Sequence, residues 1–544
     1  MKRIAILLAA LLITSPFSGP PLTPSSLAAN GVMYVKIGLI YGSNAVPGAN
    51  LQNSVGSGYR FGYFDADRNF VQLGSTDKTK ISVVKNRTVY WDGSNYQDGA
   101  SGAMVGAFHG DTGVTYESGE EAQAAADDLL ASGQPAFVHY TLGKFGVRIG
   151  SYAGKETADL VTGSVYCVSV VESGTSNILF QFDSGNTSGL GILPSQGEVV
   201  SPVTWCKGYK YYGGFEYCRR DGNNVTVVNV VSVEDYVKGV IPYEMSPSWP
   251  VEALKAQALC AKSFAYTSLG KHKSQGFDIC NTIDCQVYYG TGNASANSDG
   301  AVDAVAGMYI LYNGKPIQAV YTSSDGGSTE NSENVWTSAI PYLRAVTDNY
   351  EDLDTCTNGR WSSTLTNDTL TALLNSKGYA NSGIVNMTAE YTAAGNVLAL
   401  TITDSAGKVF TFKKESARSI LNSATYGMHT YSQRYTINAG GAALSVRSAN
   451  GVSSSIGGQL YVLGSGGELN TVSVSSGIKG AGGVLIGVPQ AETSAKGTYV
   501  INGTGWGHNV GMSQNGARAM AKLGMTYEDI VTFYYTGVTI GYLE

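Results

Sequence analysis

Charge is scarce in this chain: Asp, Glu, Lys and Arg make up 14% of its 544 residues, against roughly 25% in an average globular domain. What charge there is leans acidic, at a formal net −7. A protein that binds nucleic acid electrostatically needs a basic face, so that class is excluded. Histidine is rarer still, with 5 residues. Long apolar runs are missing as well: the one at residues 4–13 falls well short of the about 20 residues that cross a bilayer. The 7 cysteines are Cys167, Cys206, Cys218, Cys260, Cys280, Cys285 and Cys356, and an odd number cannot pair completely within one chain. Glycine (69 residues) and tyrosine (35, against 15 phenylalanines) are abundant instead. That balance suits strands and loops with hydroxyl-bearing surfaces, open to neutral polar ligands such as sugars. It is equally the composition of an exported β-rich fold.

The first residues predict export. Lys2 and Arg3 precede the apolar run, Pro16, Pro20, Pro21 and Pro24 follow it, and Ala28 and Ala29 supply small residues for cleavage. This is the order of a secretory signal over residues 1–29, either removed or kept as a membrane-associated leader, with no transmembrane span in the mature chain. The expected location is the cell wall or another extracytoplasmic space. The length predicts two or three domains, and the pattern predicts an α+β fold of mixed, largely antiparallel sheets with helices. Residues 30–171 read as one α+β module, with strands at 63–74, 81–91, 136–140 and 145–152 and helices at 120–131 and from 155 to 161. Residues 172–208 read as a connection. Beyond it come a strand at 225–231, a short helix at 233–240 and a long helix to about 268 opened by Pro250, where a missing N–H costs nothing. Ala253, Ala256, Ala258, Ala261 and Ala265 give that helix a small-residue surface. Further on, a helix is expected at 370–374, a hairpin at 386–391 and 397–402, a third strand at 409–412 and a helix at 415–421. Residues 440–500, rich in Gly, Ser and Val, read as an inserted strand pair. Thr526 and Asp529 fit a capping box ahead of a helix at 527–535, and Gly524 closes the helix before it.

Four segments carry candidate chemistry. In IPYEMSPSWP (241–250), Glu244 stands among apolar and aromatic residues, which raise a carboxyl pKa by desolvation. A glutamic acid protonated near neutral pH can protonate a glycosidic oxygen. A carboxylate paired with Lys255 or capping a helix is the alternative. In KHKSQGFDICNTIDCQVYYG (271–290), His272, Cys280 and Cys285 offer three metal ligands, and a Cys280–Cys285 disulfide is equally open. In GTGWGHNVGMSQNGARAMAKLG (503–524), glycines bring the backbone close to a ligand, and His508, Ser513 and Gln514 stand at a helix start. A tight turn with an inward His508 is the bland alternative. The polar stretch YTSSDGGSTENSENVW (321–336) offers Tyr321, Ser323, Ser324, Gly326, Gly327 and Trp336 to a sugar, or forms a self-satisfied loop.

Taken in order, VEDYVKGVIPYEMSPSWPVEALKAQALCAKSFAYTS, HKSQGFDIC…CQVYYG, YTSSDGGSTENSENVW…PYL and GWGHNVGMSQNGARAMAKLGMTYEDIVTFYYTG resemble the SpoIID/LytB family. The resemblance covers about 209–544, apart from the Gly/Ser insertion. It implies a lytic transglycosylase that cleaves MurNAc–GlcNAc bonds of peptide-stripped glycan strands to 1,6-anhydro-MurNAc ends. Glu244 would be its general acid and base, because the substrate's own 6-hydroxyl replaces a second carboxylate. It also implies zinc at His272, Cys280 and Cys285, and sugar contacts by the loop residues just named. The family's other face is a non-catalytic, wall-binding enhancer of an N-acetylmuramoyl-L-alanine amidase, which makes a cell-wall amidase a candidate partner. GKFGVRIGSYAGKETADLV (143–161) resembles the repeat of SPOR domains, βαββαβ modules that bind peptide-free glycan. One departure stands out: the family's usual GHGVGMSQ is GHNVGMSQ here, so Asn509 is expected to change the backbone.

Overall fold

The run Val225–Ser232 is largely β-branched and buried over nearly its whole length, the pattern of a strand covered on both faces. In the computed structural model it lies between Tyr34–Ile40 and Gly214–Arg219, antiparallel to both. This seven-stranded sheet continues through Leu190–Pro194, Tyr59–Phe64 and Phe70–Thr76. At its other edge Ile279–Cys280 runs parallel to Ile37 and Gly38. The structure describes residues 32–195, 204–206, 208–220, 222–439 and 497–543, with only short strands between 440 and 496. The expected leader and most of the insertion lie outside the described residues. Among the described residues no helix is long and apolar enough to cross a membrane.

The chain divides into two compact units, one reaching to Tyr309 and including Pro316–Gln318, the other formed from Ile310–Lys315 and Ala319–Gly541. The first also holds a nine-stranded sheet that joins Gly48–Asn53, Lys80–Lys85, Val168–Glu172, Ile178–Asp183, Ala136–Thr141 and Lys144–Tyr152. Largely antiparallel sheets with helices make the α+β fold that the sequence predicts.

Several expectations at finer scale are corrected. Residues 63–74 form a hairpin rather than one strand. The Asp65 carboxylate accepts the Asn69 amide (2.8 Å), and Arg68 turns the chain at φ +64°. The span 81–91 breaks into Lys80–Lys85 and Val89–Trp91. No helix forms at 155–161, because Val161 exchanges both backbone bonds with His109 (2.8 Å each); tertiary pairing overrides local propensity. Among the described residues one α-helix, α1 (Gly119–Ala131), therefore precedes residue 172, where a βαββαβ repeat has two. The expected limits at 171 and 208 also separate strands that share sheets. Tyr34–Ile40 pairs with Val225–Ser232, and Gly48–Asn53 pairs with Thr204–Cys206.

Three helices of this unit position the candidate site. Ser232 opens α2 (Val233–Glu244), its hydroxyl accepting the Asp235 amide (3.1 Å). The helix runs a turn beyond the predicted 240, through Pro242, and buries Val233, Tyr236, Val237, Val240 and Ile241. Pro250 precedes α3 (Val251–Thr267), whose five alanines at 253, 256, 258, 261 and 265 are all fully buried. Lys262 on α3 is buried too, and reaches Glu234 (2.7 Å) and the Val305 carbonyl (2.9 Å). A capping box of Ser295 and Ser298 opens α4 (Ala296–Ala304).

In the second unit, helix Asn367–Ser376 buries Leu370, Leu373 and Leu374 in a core shared with Ile384–Tyr391, Val397–Asp404 and Val409–Lys413. The predicted Thr526/Asp529 capping box is present ahead of helix Tyr527–Tyr534.

Candidate active site and metal centre

Glu244 is the last residue of α2 and is half-buried. The helix closes there because Met245 takes extended backbone (φ −127°, ψ 147°), its N–H making the last helical bond to the Ile241 carbonyl (2.8 Å). The Val287 N–H donates to Glu244 Oε1 at 3.4 Å. Lys255, the partner the sequence offered, reaches Glu252 at 2.8 Å. From α4, Asn297 Nδ2 donates to the carbonyls of Pro247 (2.7 Å) and Trp249 (3.1 Å), which ties down the loop that follows Glu244. An aromatic group adjoins it. The Tyr243 hydroxyl donates to the Tyr289 carbonyl (3.2 Å), and the two rings meet edge to face at 5.4 Å. Tyr209 stacks on Tyr289 at 5.4 Å and 19°. The sequence reading missed Tyr209 and Tyr289.

His272, Cys280, Asp284 and Cys285 each bring one donor atom within 4.8 Å of the others. Cys285 Sγ lies 3.4 Å from His272 Nε2, which is 3.3 Å from Asp284 Oδ2, itself 3.9 Å from Cys280 Sγ. Asp284 was also missed, although it stands directly before Cys285. Cys280 and Cys285 are free thiols, not a disulfide. The Cys285 thiol hydrogen-bonds to Cys280. That contact holds the Cys280 thiol down to about 5 and pushes Cys285 up. His272 Nδ1 meets Gln275 Oε1 at 2.9 Å, an arrangement that assigns the proton to Nδ1 and leaves Nε2 free to ligate. Phe277 stacks on the imidazole at 5.1 Å. Strand Tyr34–Ile40 passes behind it as Gly38, where a Cβ would come 2.4 Å from the Phe277 ring. Two sulfurs, an imidazole and a carboxylate at these separations fit ligands about 2.0–2.3 Å from one tetrahedral zinc ion.

The cluster leads directly into the wall of the Glu244 site. Gln286 Nε2 donates to the Tyr236 hydroxyl and to the Ala261 carbonyl (3.2 Å each), and Val287 and Tyr289 make the contacts already described. Burial first, with the Glu244 charge adding to it, pushes the Tyr236 hydroxyl pKa up, so it stays protonated.

The other expected contact residues fall in the second unit. Tyr321 and Thr322 pair in parallel with Met512 and Ser513, and Ser324 bridges Trp506. Ser324, Gly326, Ser513 and Gln514 are buried. Ser513 caps helix Gln514–Lys522 by accepting the Gly516 amide (3.1 Å). Gly326 turns at φ +76°, where a Cβ would stand 2.7 Å from the Thr504 carbonyl oxygen. Tyr321, Ser323, Gly327, Trp336 and His508 keep partial exposure. His508 lies 5.0 Å from the Trp336 ring, and its Nδ1 accepts the Val510 amide (3.0 Å). Desolvation, with Arg418 adding to it, pushes the imidazole down to about 4. Asn509 takes φ +64°, the left-handed region that Asn tolerates. Its Nδ2 donates to the Asp325 carbonyl (2.8 Å).

Beneath that turn three buried carboxylates meet, Asp325, Asp348 and Glu351. The Tyr534 hydroxyl donates to Asp348 (2.6 Å), and the Asp325 and Gly326 amides donate to Glu351 (3.1 and 3.3 Å). Burial, then the Asp348 and Glu351 charges, push the Asp325 carboxyl well above its ordinary 3.8. A raised folded pKa contributes stability that is complete below the unfolded value and is lost as pH rises through the folded one. Thermal melts from pH 4 upward should therefore show a decline that is shallower in Asp325→Asn, which is neutral at every pH. An identical decline in both proteins contradicts the assignment.

Residues 221–312, which hold Glu244 and the metal-type cluster, match the family model described as SpoIID, Stage II sporulation protein. The chain is 30% identical over 311 residues to the amidase enhancer of Bacillus subtilis (strain 168), covering 56% of this chain and 40% of that protein. It is 28% identical over 333 residues to stage II sporulation protein D of the same organism, covering 58% of this chain and 76% of the relative. The stage II sporulation protein D of Bacillus amyloliquefaciens is 27% identical over 339 residues, covering 58% and 76%. The family-model match and these relatives support the SpoIID/LytB resemblance read from the sequence.

Proposed function

We propose that this protein is an exported lytic transglycosylase of the cell wall, acting on peptide-stripped glycan strands with Glu244 as its acid and base. The observation that carries the reading is the placement of Glu244: half-buried at the end of α2, one oxygen held by the Val287 N–H, beside tyrosines suited to sugar. Glu244 gives its proton to the oxygen between MurNAc C1 and the leaving GlcNAc, and that bond breaks. The carboxylate left behind takes the proton of the MurNAc 6-hydroxyl, whose oxygen closes on C1. One carboxyl thus serves both half-steps, and no second carboxylate is required.

His272, Cys280, Asp284 and Cys285 would hold zinc, which when bound supplies a structural cross-link. The chain's own Gln286, Val287 and Tyr289 then hold the wall of the site in register.

A second reading has a specific basis in the 30% identity to an amidase enhancer: the protein would bind the wall and stimulate a separate amidase. Purified protein on peptide-free strands, with no amidase present, separates the two. Shorter strands ending in 1,6-anhydro-MurNAc are expected. Strands that stay intact, together with faster release of stem peptides from whole wall when an amidase is added, would support the enhancer instead.

A further inference from the structure

We infer that Tyr209, buttressed by Tyr289 and Tyr243, is the floor of a sugar subsite next to Glu244. The inference takes its ligand class, a pyranose ring of a glycan strand, from the reading above. Tyr209 is 46% exposed. One of its faces is covered by Tyr289 at 5.4 Å, so the exposure belongs to the opposite face and the edge. The ring is also held in place. Its strand, Tyr209–Tyr211, is fixed by the Thr291 amide donating to the Lys210 carbonyl (2.8 Å), and Gly290 closes against that same carbonyl, where a Cβ would come within 1.9 Å. Tyr289 is fixed by the Tyr243 hydroxyl on its carbonyl and by the Tyr243 ring edge. Tyr243 is the residue before Glu244, so the stack is tied to the position of the carboxyl.

An immobile aromatic face with a hydroxyl at its rim offers apolar contact to the C–H face of a sugar and a hydrogen bond to its edge, at little cost in side-chain entropy. It gives the strand a place to lie while Glu244 works on the neighbouring linkage. Tyr209 is a positioning residue, not a catalytic one.

The test uses the full chain carrying Glu244→Gln, which binds without turnover, and isothermal titration with peptide-free glycan oligomers. Adding Tyr209→Ala is expected to weaken binding about tenfold, and Tyr209→Phe to stay within about twofold. In the active protein Tyr209→Ala should raise KM by a similar factor and leave kcat near its parent value. Binding by Tyr209→Ala equal to that of its parent, with products still formed through Glu244, overturns the subsite and spares the catalytic reading. Weakened binding in a protein that makes no product supports the subsite and removes the catalytic reading. An equal loss in Tyr209→Ala and Tyr209→Phe counts against the stacking face.

Discussion

Glu244→Gln is expected to slow glycan cleavage on the order of 10³-fold, while affinity for the strand stays within about twofold. Glutamine has the same length, and its carbonyl oxygen can accept the Val287 N–H as Oε1 does at 3.4 Å. The end of α2 and the loop that Asn297 ties to Pro247 and Trp249 therefore keep their places. What is removed is the transferable proton, needed first by the leaving oxygen and then, in reverse, by the 6-hydroxyl. Initial rates beside binding isotherms check this. A variant that loses binding and rate in parallel, or that keeps its rate, is incompatible with the role assigned to Glu244.

The second large effect concerns the cluster of His272, Cys280, Asp284 and Cys285. If it holds zinc as proposed, the purified protein carries the metal stoichiometrically, and Cys285→Ser loses it. Chelation is expected to cost about 4 kcal/mol, the contribution of a ligand present at about a thousand times its Kd. Melting should fall on the order of 10 °C. Cleavage should fall with it although Glu244 is untouched, because Cys285 opens the segment through which Gln286, Val287 and Tyr289 reach Tyr236, Glu244 and Tyr243. Readdition of zinc should restore both in the parent and neither in Cys285→Ser. Elemental analysis with melting curves decides it. Metal-free protein of undiminished stability and activity would show the cluster to be a hydrogen-bonded pair of thiols and nothing more.

What the sequence made legible was local chemistry. Pro250 before α3 and the Thr526/Asp529 box each act within one turn of the chain, and each is found where it was read. Long-range pairing was not legible. Nothing in YVKIGLI says that its partner is Val225–Ser232 or that Ile279–Cys280 lies on its other side. For that reason the limits drawn at 171 and 208 could not foresee that strands on either side of them pair. The GKETADL stretch has the composition of a helix, but the backbone of His109 claims Val161. In the site, Glu244, His272, Cys280 and Cys285 were readable because two short segments contain them. Asp284 was there to be read beside Cys285. Tyr209, Tyr243 and Tyr289 come from a strand, a helix end and a loop, and only the fold brings them together. Ser513 shows the converse: its place in a motif suggested ligand contact, whereas its hydroxyl accepts the Gly516 amide.

If Glu244 drives cleavage as proposed, with the substrate's own hydroxyl as nucleophile, the products carry that signature. Mass spectrometry of peptide-free strands, incubated with the parent protein and with Glu244→Gln, tests it most directly. Fragments ending in 1,6-anhydro-MurNAc are expected from the parent and none from the variant. Hydrolysed reducing ends, or the same anhydro products from Glu244→Gln, would contradict it.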